Sequence, residues 1–147
     1  MRVDSLLKLI AVISSALFAG AAFYVSAVEH PARVRMETAA AISQFKLSYQ
    51  RAAPIQVVFS AGCFLACFAL WLRTHIGEWL GAGSVVFIVI PYTLAFMLPV
   101  NRVLLAAGFT SDAAAKQLLN KWGRLHGVRT ILGLMGFVWI LVQSVYV

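Results

Sequence analysis

The stretch WGRLHGVRTILGLMGFVWILVQSVYV, residues 122–147, decides how the chain is read. Its second part, Thr130–Val147, carries no charge and is long enough to cross a hydrocarbon core of about 30 Å as an α-helix. Its first part is wet. On a helix, Trp122, His126 and Arg129 fall at i, i+4 and i+7 and so share one face. An aromatic ring, an imidazole and a permanent cation thus point the same way where lipid begins. Ionisable groups at that depth usually face a bundle interior or a water-filled cavity, which makes this stripe the first functional candidate.

Working outward, three more uncharged runs match the last one: Leu9–Val28, Pro54–Leu72 and Trp79–Val100. Hydrophobic residues make up 62% of the 147-residue chain and charged residues 12%, and mean hydropathy is +0.89. Such a composition excludes an ordinary soluble enzyme. It predicts an all-α integral membrane four-helix bundle, a single membrane domain over 1–147 with spans at about 6–28, 54–72, 79–100 and 127–147 and amphipathic helices in the connections. Arg2 and Lys8 precede the first run as in a signal peptide, and Ala19-Gly20-Ala21 or Val25-Ser26-Ala27 would suit cleavage. The run outlasts the ~7–15 residues of a signal core, however, so a retained helix is expected.

The net charge of +7 suggests nucleic acid until its distribution is considered. Only Arg2, Lys8 and Arg73 lie at the N-terminus or in the short connection after the second run. Arg33, Arg35, Lys46, Arg51, Arg102, Lys116, Lys121, Arg124 and Arg129 occupy the two longer connections. The positive-inside rule places those connections in the cytoplasm and both termini outside, with the cations near anionic head groups. No basic–aromatic nucleic-acid motif is present.

Local signals fill in the rest. Ser15, Ala19 and Ala22, with Ala16 and Gly20 beside them, give the first span a small face for close helix packing. Pro31 predicts a break or kink at His30, and Pro91 a kink in the third span. Ile42, Phe45 and Tyr49 repeat at helical spacing, and Pro54 is placed to open the second span. Trp71 and Trp79 flank the short outer turn as an aromatic belt, and His75 is a solvated loop residue there. Ser111 caps a helix that continues through His126, with Gly123 and Gly127 as bend points. Cys63 and Cys67, one helical turn apart, read as small apolar residues at a helix contact. No internal repeat is evident.

In this topology Glu29, His30, Tyr49, Arg51, Gln56, Asn101, Trp122, His126 and Arg129 all fall near the cytoplasmic ends of the spans, which predicts a pocket opening there. His30-Pro31 after the first span, Pro99-x-Asn101 after the third, and Trp122-x-x-x-His126-x-x-Arg129 before the fourth resemble the anthrone oxygenase-like family. Gly20-Ala21-Ala22-Phe23-Tyr24 and Tyr49-x-Arg51 fit as well. The resemblance spans nearly the whole chain. It implies a small four-span membrane protein, expected in a bacterial inner membrane, that oxidises a methylene of an anthrone or similar hydrophobic aromatic substrate with O2 and no further cofactor.

The residue chemistry suits that expectation. An anthrone methylene is acidic, and a base that forms its carbanion prepares it for O2. His126 is the first candidate base and His30 the second. Arg129 and Asn101 are placed to stabilise a phenolate or peroxide, and Trp122 and Tyr49, with Arg51 and Gln56, to hold a flat substrate. Two readings compete. One is a metal or haem protein with His30, His126 and Glu29 as ligands. The other is a non-catalytic bundle, an assembly partner or lipophile carrier. Homo-oligomerisation stays open.

Overall fold

The computed structural model describes residues 3–106, 109 and 111–147; Arg2, counted above in the charge distribution, lies outside them. Four helices follow one another: α1 (Val3–Arg33), α2 (Thr38–Thr74), α3 (Gly77–Ala106) and α4 (Asp112–Tyr146), each long and apolar enough to cross a membrane. No strand occurs among the described residues. α1 packs on α2 and α4, and α3 packs on the same two, closing a ring of neighbours. Short connections make consecutive helices antiparallel. The chain is an all-α integral membrane four-helix bundle. Leu17, Leu65, Ile131 and Met135 lie on its outside, as a lipid-facing surface requires.

The bundle has two apolar levels, with a polar one between them on α2 and α4. Phe18, Cys67, Leu70, Trp79 and Val86 pack together towards the α2–α3 turn. Phe45, Met97, Leu104, Leu119 and Trp122 pack together towards the other two connections. Between them along α2 and α4 lie Gln56, Ser60, His126, Arg129 and Thr130, all buried. Ser15, Ala19 and Ala22 of the small face on α1 are buried too, while Gly20 is exposed.

The prolines shape the helices in three ways. Pro31 has no N–H to offer the Ala27 carbonyl, and the expected break at His30 is replaced by a wider π-helical segment, Val25–Glu29, after which α1 continues to Arg33. Pro99 repeats this: Thr93–Met97 is π-helical and α3 continues to Ala106. Both segments share the pattern Tyr-x-x-Ala-x-x-x-Pro (Tyr24 to Pro31, Tyr92 to Pro99), and two residues later each presents a buried polar side chain, Arg33 and Asn101. This short correspondence is a repeat that the apolar background hides. Pro91 interrupts α3 by a turn at Ile88, as its position predicts. Pro54, expected to open a helix, sits inside α2 instead; the amphipathic stretch before it is helical and continuous with the span.

α4 likewise runs unbroken through Gly123 and Gly127. Its 35 residues measure about 52 Å, so its first turns stand beyond the apolar level rather than bending along it. Gly123 serves a close approach instead, described below. Ser111 caps α4 by accepting the Ala114 N–H at 3.2 Å. His75 is exposed and ends α2 in the left-handed region, φ 58°. Trp79 is fully buried against the bundle rather than in an interfacial belt.

Helix contacts depend on missing side chains. A Cβ on Gly133 would stand 2.7 Å from the Phe18 ring, whereas nothing lies within 4 Å of one on Gly20. Gly133→Ala is therefore expected to cost about 1–3 kcal/mol by overpacking, while Gly20→Ala leaves stability unchanged or higher. Thermal unfolding of the two variants in one detergent checks this.

Candidate functional site

The stripe on α4 is buried, and each of its members meets a different helix. Trp122 donates its Nε1–H to Asn101 Oδ1 of α3 at 2.8 Å, and Asn101 Nδ2 donates in turn to the Tyr49 hydroxyl of α2 at 3.1 Å. Arg129 donates from Nη2 to Gln56 Oε1 of α2, and its guanidinium stands 5.3 Å over the Phe18 ring of α1. His126 Nδ1 lies 2.9 Å from Ser26 Oγ, in the π segment of α1. Its ring stacks on Trp122 at 4.7 Å.

The hydroxyls around His126 assign its tautomer. Thr130 Oγ1 lies 3.1 Å from two backbone carbonyls, those of Ala22 and His126. A carbonyl has no proton to give, so Thr130 donates its single one there. Ser26 Oγ, 2.7 Å from Thr130 Oγ1, must then be the donor in that pair. Its lone pair is left to accept from His126 Nδ1–H. The imidazole proton is thereby assigned to Nδ1 from the donor and acceptor count. Nε2 keeps its lone pair, and among the described residues no group hydrogen-bonds to it.

A pocket of about 390 Å³ opens beside this stripe among all four helices. Val25, Phe45 and Met97 form its apolar wall; Arg33, Tyr49, Gln56, Trp122, His126 and Arg129 supply the polar one. Its two arginines differ. Arg33 pairs with Glu29 one helical turn away and lies 5.3 Å over Phe45 and 5.4 Å over Trp122. The same carboxylate oxygen accepts from Gln44 at 2.8 Å and Ser48 at 2.5 Å. Arg129 has no carboxylate within ion-pair distance among the described residues; each arginine also keeps one buried nitrogen without an acceptor, Nη1 of Arg33 and Nε of Arg129.

The structure thus brings His126, Arg129, Trp122, Tyr49 and Gln56 to one pocket, with Asn101 fixing two of them from behind. His30 stands apart from that wall. It packs against Trp122 at 5.5 Å and lies over Gly123, where a Cβ would meet its Nε2 at 2.1 Å. Arg51 is exposed and does not line the pocket. Glu29 is engaged by Arg33, Gln44 and Ser48. Among the described residues no three His, Cys, Asp or Glu side chains come together as a metal-ligand group. Cys63 and Cys67 are free and buried at the apolar level.

Sequence reasoning misses Arg33, Ser26 and Thr130. The i, i+4 spacing of Glu29 and Arg33 announces their pair, and Thr130 lies one turn beyond His126. Ser26 has no signal of its own, because its place depends on the π segment.

A pocket lined by polar and apolar side chains from four helices long and apolar enough to cross a membrane places the chain among small integral membrane proteins with a polar interior. Residues 45–139 match the family described as Anthrone oxygenase, and the chain belongs to that family. The matched part contains the whole α4 stripe, Tyr49, Gln56 and Asn101. No curated protein matches the chain, and no solved structure does.

The tautomer is directly checkable. In protein labelled with 15N-histidine, the His126 ring is expected to give a protonated Nδ1 and an unprotonated Nε2. Ser26→Ala removes the acceptor and should redistribute the proton between the two nitrogens. An Nε2–H signal in the parent protein would reverse the assigned order of donors.

Proposed function

We propose that the protein is a membrane-embedded, O2-dependent oxygenase acting on an anthrone or similar hydrophobic aromatic substrate, with His126 as base. The observation that carries this reading is the pairing of a tethered imidazole, Nε2 free, with an arginine lacking an acid partner in the same pocket. Such a pair can remove a proton from a weakly acidic carbon and stabilise the anion that results.

In the proposed reaction His126 Nε2 takes a proton from the substrate methylene, leaving a carbanion delocalised onto the neighbouring ring oxygen. Arg129 balances that oxygen's negative charge. Carbon then bonds to O2, and the peroxide formed takes the proton back from the imidazolium. Loss of the second methylene proton to the same nitrogen breaks the O–O bond and expels hydroxide, which is protonated to water. The balance is R2CH2 + O2 → R2C=O + H2O, with O2 taking up all four electrons. Trp122 and Tyr49 provide aromatic surface for a flat ring system. Asn101 holds both by hydrogen bonds and acts as a positioning residue. In this reading no cofactor beyond O2 is required. The positive-inside distribution favours a cytoplasmic opening for the pocket.

Quinone formation and O2 consumption with anthrone, measured above autoxidation on purified protein in detergent, test the proposal. His126→Ala is expected to lower the enzymatic rate by about a hundred- to ten-thousand-fold, with His30→Ala much closer to the parent. Metal content and visible absorption should be measured on the same three proteins. Near one metal or haem per chain, lost in both variants, would overturn the base mechanism and make the histidines ligands. Equal turnover by parent and His126→Ala would remove His126 from the chemistry.

A further inference from the structure

A second chamber, of about 550 Å³, lies between α2 and α3 and touches the first only through Tyr49, Ala53, Gln56 and Arg129. Its remaining wall is nearly all apolar, with Phe18, Val57, Ile90, Leu94 and Leu98. Val57 and Leu94 are 48% and 58% exposed, and both lie within apolar runs, so the mouth faces hydrocarbon rather than water. The α3 side of the chamber is the irregular stretch from the turn at Ile88 to the end of the π segment at Met97. There Thr93 donates its hydroxyl to the Val89 carbonyl at 2.6 Å, so that proton is not available to a group in the chamber.

Arg129 stands where the two chambers meet. It is 8% exposed, keeps one Nη2 bond to neutral Gln56, and leaves Nε buried without an acceptor. A buried cation with a free donor, at the inner end of an apolar chamber open to lipid, is complementary to one kind of molecule. That molecule has an apolar body and a single weakly acidic oxygen.

We infer that this chamber is a lateral port, through which a weakly acidic aromatic leaves the bilayer and is held as its anion by Arg129 before reaching His126. The inference rests on the proposed function for the identity of the ligand and not for the existence of the port. It explains why the second chamber needs no polar floor of its own: the bilayer supplies the ligand already desolvated, and the charge at the inner end sets its orientation.

The probe is 1,8-dihydroxyanthraquinone, whose phenol ionises with a shift from yellow to red, added to lipid nanodiscs containing the intact protein. Its dimethyl ether, which cannot ionise, and oleate serve as comparison ligands. The parent protein is expected to bind the phenol with a red shift near neutral pH and to bind the ether at least tenfold more weakly. Arg129→Gln should abolish the shift and weaken binding about ten- to hundredfold, and Arg129→Lys should restore part of it. Filling the mouth with Val57→Trp and Leu94→Trp together should slow binding at least tenfold. Val58→Trp, at a position 66% exposed and outside the chamber wall, should not. Melting temperatures of all variants verify that they are folded.

Unchanged association in the double variant carrying Val57→Trp and Leu94→Trp would overturn the port. Equal binding of ether and phenol would overturn the anion site. Arg129-dependent binding of oleate alone would replace the aromatic by a lipid-derived carboxylate and overturn the ligand assignment. A red-shifted complex without anthrone turnover would leave port and anion site standing and count against the oxidation reaction alone.

Discussion

In hydrocarbon a polar side chain can be satisfied only by another group of the same protein. The middle level of this bundle is arranged by that constraint. α4 carries Trp122, His126, Arg129 and Thr130 buried between the helices, so every other helix must present a partner at the right height. α3 brings Asn101, α2 brings Gln56 and Tyr49, and α1 brings Ser26 and the Ala22 carbonyl. Bonds of this kind contribute only about 0.6 kcal/mol each in a membrane. Their value lies in register. Apolar contacts are nearly as good with lipid as with a neighbouring helix, so they cannot fix how far one helix slides along the next.

The prolines explain how those partners reach their heights. A proline in a spanning helix frees a carbonyl four residues back, and both α1 and α3 widen their turn just before one rather than ending. The wider turn changes the phase of everything after it. Ser26 lies inside one such segment, Arg33 follows it, and Asn101 follows the other. Both late residues reach the same indole: Asn101 at its N–H, Arg33 above its face. Two matched distortions on opposite helices thus converge on Trp122, which explains how so small a bundle brings polar side chains from several helices to one pocket.

That phase change also sets the limit of what the sequence discloses. The four spans are legible because run length and lack of charge are one-dimensional properties. The α4 stripe is legible because α4 keeps an even 3.6-residue period from Asp112 to Tyr146. Partners on other helices are another matter. Arg33 and Arg51 are both basic residues near the same end of the bundle, yet one is buried in the pocket wall and the other exposed. What separates them is rotation about the helix axis, which a π segment alters without any charge or hydropathy signal. Trp79 shows the same limit, since an indole near a span end fits the interfacial belt and the core equally well until its neighbours are known. Gly123 reads as a hinge in one dimension and proves to be room for the His30 ring.

The two arginines of the pocket give its electrostatics their meaning. Removing a cation from water costs several kcal/mol even after relaxation, and this chain shows how it offsets that cost when nothing further is asked of the charge. Arg33 has Glu29 one turn away, and Gln44 and Ser48 complete the carboxylate's bonds. Arg129, in the same pocket, receives a neutral amide where an acid of similar size would fit. A glutamate at position 56 would neutralise it; glutamine holds the guanidinium in place and leaves its charge uncancelled. The positive charge at the junction of the two chambers is therefore left without an acid partner among the described residues, and in the proposed reading a negatively charged ligand supplies it.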